Sequence, residues 1–99
     1  MEKKIAHYLL ADVKALVVVD QFVLTNAANI GADALGLDVQ GVKNAILQLE
    51  ISNFYKTMTT HADHRIWQDV YHLHLEGVGA IYLKLTVVDL VLVVSFKEL

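Results

Sequence analysis

Four of the five histidines lie in the second half of the chain, His61, His64, His72 and His74, among Lys56, Asp63, Gln68, Asp69, Tyr82 and Lys84, with Lys97 near the end. Their types limit their roles. An unshifted lysine or tyrosine titrates near ~10, so both carry their protons near neutrality. Lys56, Lys84 and Lys97 can therefore neutralise developing negative charge. Tyr82 can donate a proton or a hydrogen bond. A base role for either type would need a large downward pKa shift, from neighbouring cations or, for lysine, burial. Gln68 can orient a ligand through its amide. His64 offers an imidazole, the side chain whose reference pKa lies nearest neutrality.

The histidines raise a metal hypothesis. His61 and His64 lie three apart, and His72 and His74 lie two apart, on what would be one face of a strand. Two imidazoles can begin a zinc site, but such a site wants three or four ligands. Asp63 and Asp69 are the nearest acids, and the chain has no cysteine. No metal and no other cofactor is expected.

These groups must be held by something, and the hydrophobic pattern says what. Ile5, Leu9, Val13, Leu16 and Val17 recur at three- and four-residue spacings, which predicts a helix ending near Asp20. Gln21 to Leu24 reads as a short strand or extended link. Thr25 or Asn26 can cap a second helix, and Gly36 suits its C-terminal end. Asp38 is the expected cap of a third helix running to about Leu49, with Val42, Ile46 and Leu49 inward. After Ser52 the pattern turns to strands. They are expected over Phe54 to Thr60, Ile66 to Leu75, Ile81 to Val88 and Leu90 to Phe96, with a turn at Gly77-Val78-Gly79. In the third, Ile81, Leu83, Leu85 and Val87 should face one side, and Tyr82, Lys84 and Thr86 the other. Helices followed by strands give an α+β class: two to three N-terminal helices packed on a twisted, mainly antiparallel sheet.

Ninety-nine residues make a single domain, spanning 1–99. Hydrophobic residues are 56% of the chain and charged ones 19%, which points to strands buried on both faces or to a hidden partner surface. That excess is compatible with a homodimer. The net charge of −3 speaks against bulk attraction to nucleic acid, so any RNA contact needs a local basic site. The apolar run Leu9 to Val19 is broken by Asp12 and Lys14 and is too short to span a bilayer. A cytoplasmic protein with no membrane association is expected.

The segments Phe54-Tyr55-Lys56-Thr57-Met58-Thr59-Thr60, Asp63-His64 and Trp67-Gln68-Asp69-Val70-Tyr71 resemble, in order and spacing, the signature of the motility quorum-sensing regulator (MqsR) family. Ile81-Tyr82-Leu83-Lys84 and Val94-Ser95-Phe96-Lys97-Glu98 extend the resemblance, as do Ala32-Asp33, Leu35-Gly36-Leu37-Asp38, Met1-Glu2-Lys3 and His7 upstream. It spans essentially the whole chain and is dense over the second half. The family's usual Arg and Lys residues around the second helix are replaced here by Val23, Leu24, Ala27, Ala28 and similar residues.

The resemblance implies a RelE-like fold and the toxin of a type II toxin–antitoxin pair. Such toxins cleave messenger RNA without a metal at GC-containing sites such as GCU. The partner it implies is an MqsA-like antitoxin with a zinc domain and a helix-turn-helix domain. It places cleavage on Lys56, Gln68 and Tyr82, with Lys97 a further basic position. RNA brings its own nucleophile, the 2′-hydroxyl. The enzyme must align it, stabilise charge on the phosphate, and protonate the departing 5′-oxygen. Lys56 is expected to stabilise charge, Gln68 to orient a phosphate or base, and Tyr82 to supply the proton. Lys84, Lys97 and His64 are the expected RNA contacts. His64 is a candidate base, although the base is otherwise unassigned. The competing expectation is a non-catalytic antitoxin-binding protein, natural or designed, on the same scaffold.

Overall fold

The computed structural model describes residues 1–99. Three helices, α1 (Leu10–Val18), α2 (Asn26–Ala34) and α3 (Val39–Leu47), pack on one face of a six-stranded sheet. Its strands are β1 (Glu2–Lys3), β2 (Phe22–Leu24), β3 (Phe54–Thr59), β4 (Trp67–Leu75), β5 (Gly79–Val88) and β6 (Leu90–Glu98). They lie in the order β1-β3-β4-β5-β6-β2. Every pairing is antiparallel except that of β2 with β6. The class is α+β, as the pattern predicts.

Local chemistry sets the helix ends. The Thr25 hydroxyl accepts the N–H of Ala28, and the Asp38 carboxylate accepts that of Gly41. Each satisfies a backbone donor that the first turn leaves free. Gly36 takes φ +76° after α2, a conformation that suits glycine. The first helix departs from expectation. Ile5 and Leu9 share its periodicity but lie outside it and are exposed. The Asp69 carboxylate accepts the backbone N–H groups of both His7 and Tyr8, which holds this stretch against β4 before the helix begins.

The core lies between the helices and the inner face of the sheet. Val13, Val17, Val42, Ile46 and Leu49 from the helical side meet Tyr71, Leu73, Ile81, Leu83, Leu85, Val93 and Phe96. Each fully buried aliphatic side chain contributes about 1.5–3 kcal/mol relative to an exposed one. Helix α2 comes so close to β6 that a β-carbon at Gly31 would collide with the Phe96 carbonyl oxygen. That closeness requires glycine there.

Two bulges reset the alternation. Phe54 pairs with Tyr71, yet Lys56 pairs with Val70, so Tyr55 is an extra residue. By strict alternation Lys56 would share the inner face with Phe54; the bulge turns it outward. On β6, Leu85 pairs with Val93 while Lys84 pairs with Ser95, which makes Val94 the extra residue. Its carbonyl accepts the Thr25 hydroxyl at 2.8 Å. Val91, Val93 and Phe96 thereby stay inside while Ser95 and Lys97 turn out.

Candidate active site

The outer face of the sheet carries the chemistry. Strand register arranges it in rows that run across the strands. In one, His72 pairs with Tyr82 and Tyr82 with Lys97. The bulged Tyr55 stacks on His72 with ring centroids 4.2 Å apart, and the His72 ring lies 5.8 Å from that of Tyr82. In the next row Lys56 pairs with Val70, Val70 with Lys84, and Lys84 with Ser95. Beyond it, Met58 pairs with Gln68. Val70 is fully buried although it faces outward, as expected where flanking lysine stems cover an apolar residue.

Ammonium groups gather on these rings. Lys4 Nζ is 4.9 Å and Lys56 Nζ 5.6 Å from the Tyr55 centroid, and Lys97 Nζ is 5.1 Å from that of Tyr82. Ring faces attract cations at such distances. Lys84 is partly buried; its pKa is lowered, first by that burial and then by repulsion from Lys97.

Lys56 has a partner that sequence proximity could not reveal. Its Nζ donates to the Glu2 carboxylate at 2.8 Å. That hydrogen bond is the first cause of a raised Lys56 pKa, with smaller contributions of the same sign from Tyr55 and Tyr82. The Glu2 carboxyl is correspondingly held below its usual range. Lys56 is therefore a stable cation near neutrality.

The register thus brings Lys56, Gln68, Tyr82, Lys84 and Lys97 onto one face. His64 lies on none of these strands. It sits exposed in the β3–β4 loop, where Arg65 makes a two-pronged pair with Asp63. His72 shares the face and stacks on tyrosine. No three His, Asp or Glu side chains converge as a ligand set. Thr86, expected beside Tyr82 and Lys84, is buried, its hydroxyl 3.0 Å from that of Tyr8.

Three parts of this region are given no role by the sequence. Glu2 in the two-residue β1, and Lys4 just after it, reach the face from a strand too short for any periodicity. Tyr55 reaches it through the bulge. An apolar groove of about 630 Å³ opens between residues 4–11, residues 51–54 and Tyr71. Its exposed Ile5, Leu9 and Ile51 are one place where the apolar excess of the composition reaches the surface. None of Lys56, Gln68 or Tyr82 lines it.

Residues 5–98 match the family model of the motility quorum-sensing regulator, toxin of MqsA. The chain is 52% identical over 98 residues to the mRNA interferase toxin MqsR of Escherichia coli (strain K12), and the match covers 99% of each chain.

Proposed function

The chain belongs to the motility quorum-sensing regulator toxin family, and from that premise we propose that it is an endoribonuclease that cleaves messenger RNA without a metal at GC-containing, GCU-like sites. The observation that carries this reading is the outer sheet face, where four lysines surround an aromatic row in a chain that is acidic overall. Single-stranded RNA is bound by this combination, ammonium groups on phosphates and rings against bases.

Lys56, Gln68 and Tyr82 are the catalytic residues in this proposal. Lys56 stays charged and stabilises the phosphorane-like transition state. Gln68, two residues from Val70 on the same face of β4, orients the phosphate or a flanking base through its amide. Tyr82 donates its proton to the departing 5′-oxygen. Lys84 and Lys97 hold neighbouring phosphates. His64, on its loop, contacts RNA beyond the sheet. The protein works in the cytoplasm, where an MqsA-like antitoxin restrains it. No helix is long and apolar enough to cross a membrane.

The pairing of Lys56 with Glu2 is the one observation that favours a non-catalytic binding protein, since it engages the key cation without RNA. An assay separates the two readings. Purified, folded protein is incubated with a GCU-containing RNA and excess chelator. Cleavage leaving a 2′,3′-cyclic phosphate end is expected. No cleavage at any enzyme excess would contradict the proposal.

A further inference from the structure

The proposed reaction lacks a base, and the structure supplies a candidate that the sequence hides. In-line transfer needs a proton acceptor on the 2′-oxygen side of the phosphorus and a donor on the opposite, 5′-oxygen side. A phosphate held by Lys56 on β3 has Tyr82 on one side, two strands away on β5. On the other side lies β1, and its Glu2 carboxylate touches Lys56 at 2.8 Å. With strand spacings of ~4.8 Å, the two groups flank the phosphate across three strand intervals.

Resting on the proposed endoribonuclease activity, we infer that Glu2 is the general base, taking the 2′-hydroxyl proton while Lys56 holds the phosphate between Glu2 and Tyr82. The O2′–P bond forms as the Glu2 carboxylate accepts the proton. The P–O5′ bond breaks, its electron pair stays on O5′, and the Tyr82 hydroxyl proton neutralises it. The products are a 2′,3′-cyclic phosphate and a 5′-hydroxyl end. Solvent returns a proton from Glu2 to Tyr82.

Other candidates are placed wrongly. Asp69 is spent on the backbone of His7 and Tyr8, and Asp63 on Arg65. His72 stacks against Tyr55 beside Tyr82, on the donor's side. His64 is on the exposed loop.

Glu2 is held in place along its whole segment. It sits opposite Met58 in the β1–β3 pairing. The Met1 carbonyl accepts the Thr59 N–H, Lys3 Nζ lies 4.3 Å from the Trp67 ring, and His7 stacks on that ring at 5.4 Å. A lysine ammonium has three protons, so Lys56 can bond the phosphate and Glu2 together. As a phosphate draws Lys56 away, the hydrogen bond that lowers the Glu2 pKa weakens and the carboxylate becomes a better acceptor.

The test compares two GCU-containing oligonucleotides under single-turnover conditions, one ordinary and one with sulfur replacing the bridging 5′-oxygen. A thiolate leaves without a proton, so the sulfur substrate spares the donor and still needs the base. Glu2→Gln is expected to slow the ordinary substrate by ~10²–10⁴-fold and to stay slow on the sulfur one. Tyr82→Phe should recover on sulfur. Circular dichroism and melting should show Glu2→Gln folded like the parent, as suits an exposed side chain on an edge strand. A Glu2→Gln rate equal to or above wild type, or one restored by sulfur, overturns the inference and leaves the endoribonuclease reading intact. If the unmodified protein cleaves neither substrate, that parent reading fails and this inference fails with it.

Discussion

The two faces of the sheet are built from alternate residues of the same strands, and they are different in kind. On the inner face Tyr71, Leu73, Ile81, Leu83, Leu85 and Phe96 are sealed under three helices. On the outer face Lys56, His72, Tyr82, Lys84 and Lys97 stand in register with no helix over them. Charge divides the same way. Residues 10–53, which form the helical layer and β2, hold Asp12, Asp20, Asp33, Asp38 and Glu50 against Lys14 and Lys43. That difference of three equals the whole net charge of −3. The remainder is neutral, yet its outer face gathers four lysines around Tyr55 and Tyr82. Net charge therefore misleads about RNA here. The sign that a ligand meets is local, and screening over ~8 Å at physiological salt hides most of the acidic side from it.

If the faces are separable, changes on one should leave the other's property untouched. The largest effect is expected for Tyr82→Phe. Cleavage of an ordinary RNA should fall ~10²–10⁴-fold, with melting temperature hardly moved. A variant that melts far earlier would show that the faces are coupled.

Leu83→Ala tests the opposite direction. Leu83 is fully buried, and its truncation should lower stability by about 2–5 kcal/mol by denaturant titration. The rate per folded molecule should stay near wild type.

Tyr71 gives a pH signature of the inner face. Burial first, and then the Asp69 charge, push its hydroxyl up to about 12. The folded state thus keeps a proton that the unfolded state releases near ~10. Stability from this group is complete below the unfolded pKa and is lost as pH rises through the folded one. Roughly 2–3 kcal/mol should disappear between about pH 10 and 12. Tyr71→Phe should flatten that alkaline limb in pH-dependent denaturant titrations, whatever it does to stability at neutrality.

The smallest effect is expected at Lys97, which is exposed. Lys97→Ala should weaken RNA binding modestly and reduce the slope of log affinity against log salt by ~0.7. An unchanged slope would remove Lys97 from the RNA path.

How much of this was legible in the sequence differs between the two faces. The helices and strands follow from periodicity, and Thr25, Gly36 and Asp38 act at the ends where their chemistry places them. The inner residues Val42, Ile46, Leu49, Ile81, Leu83 and Leu85 are equally legible, because a repeat of 3.6 or 2 directly encodes a buried face. Ile5 and Leu9 were misplaced in α1 because spacing cannot see Asp69, more than sixty residues away, capturing the backbone before the helix. On the outer face, the assignment of Lys56, Gln68 and Tyr82 rests on family resemblance, while alternation alone puts Lys56 inside with Phe54. Glu2 was hidden because its tie to Lys56 crosses 54 positions. Bulges and long-range pairings are tertiary facts that no local window contains.

The most direct test of the outer face as the active site is the single-turnover rate of Lys56→Ala on a GCU-containing RNA in chelator, expressed per folded molecule. A loss of two or more orders of magnitude is expected, with melting temperature and antitoxin binding close to wild type. Cleavage at the wild-type rate would contradict it, and the outer face would then not be the active site.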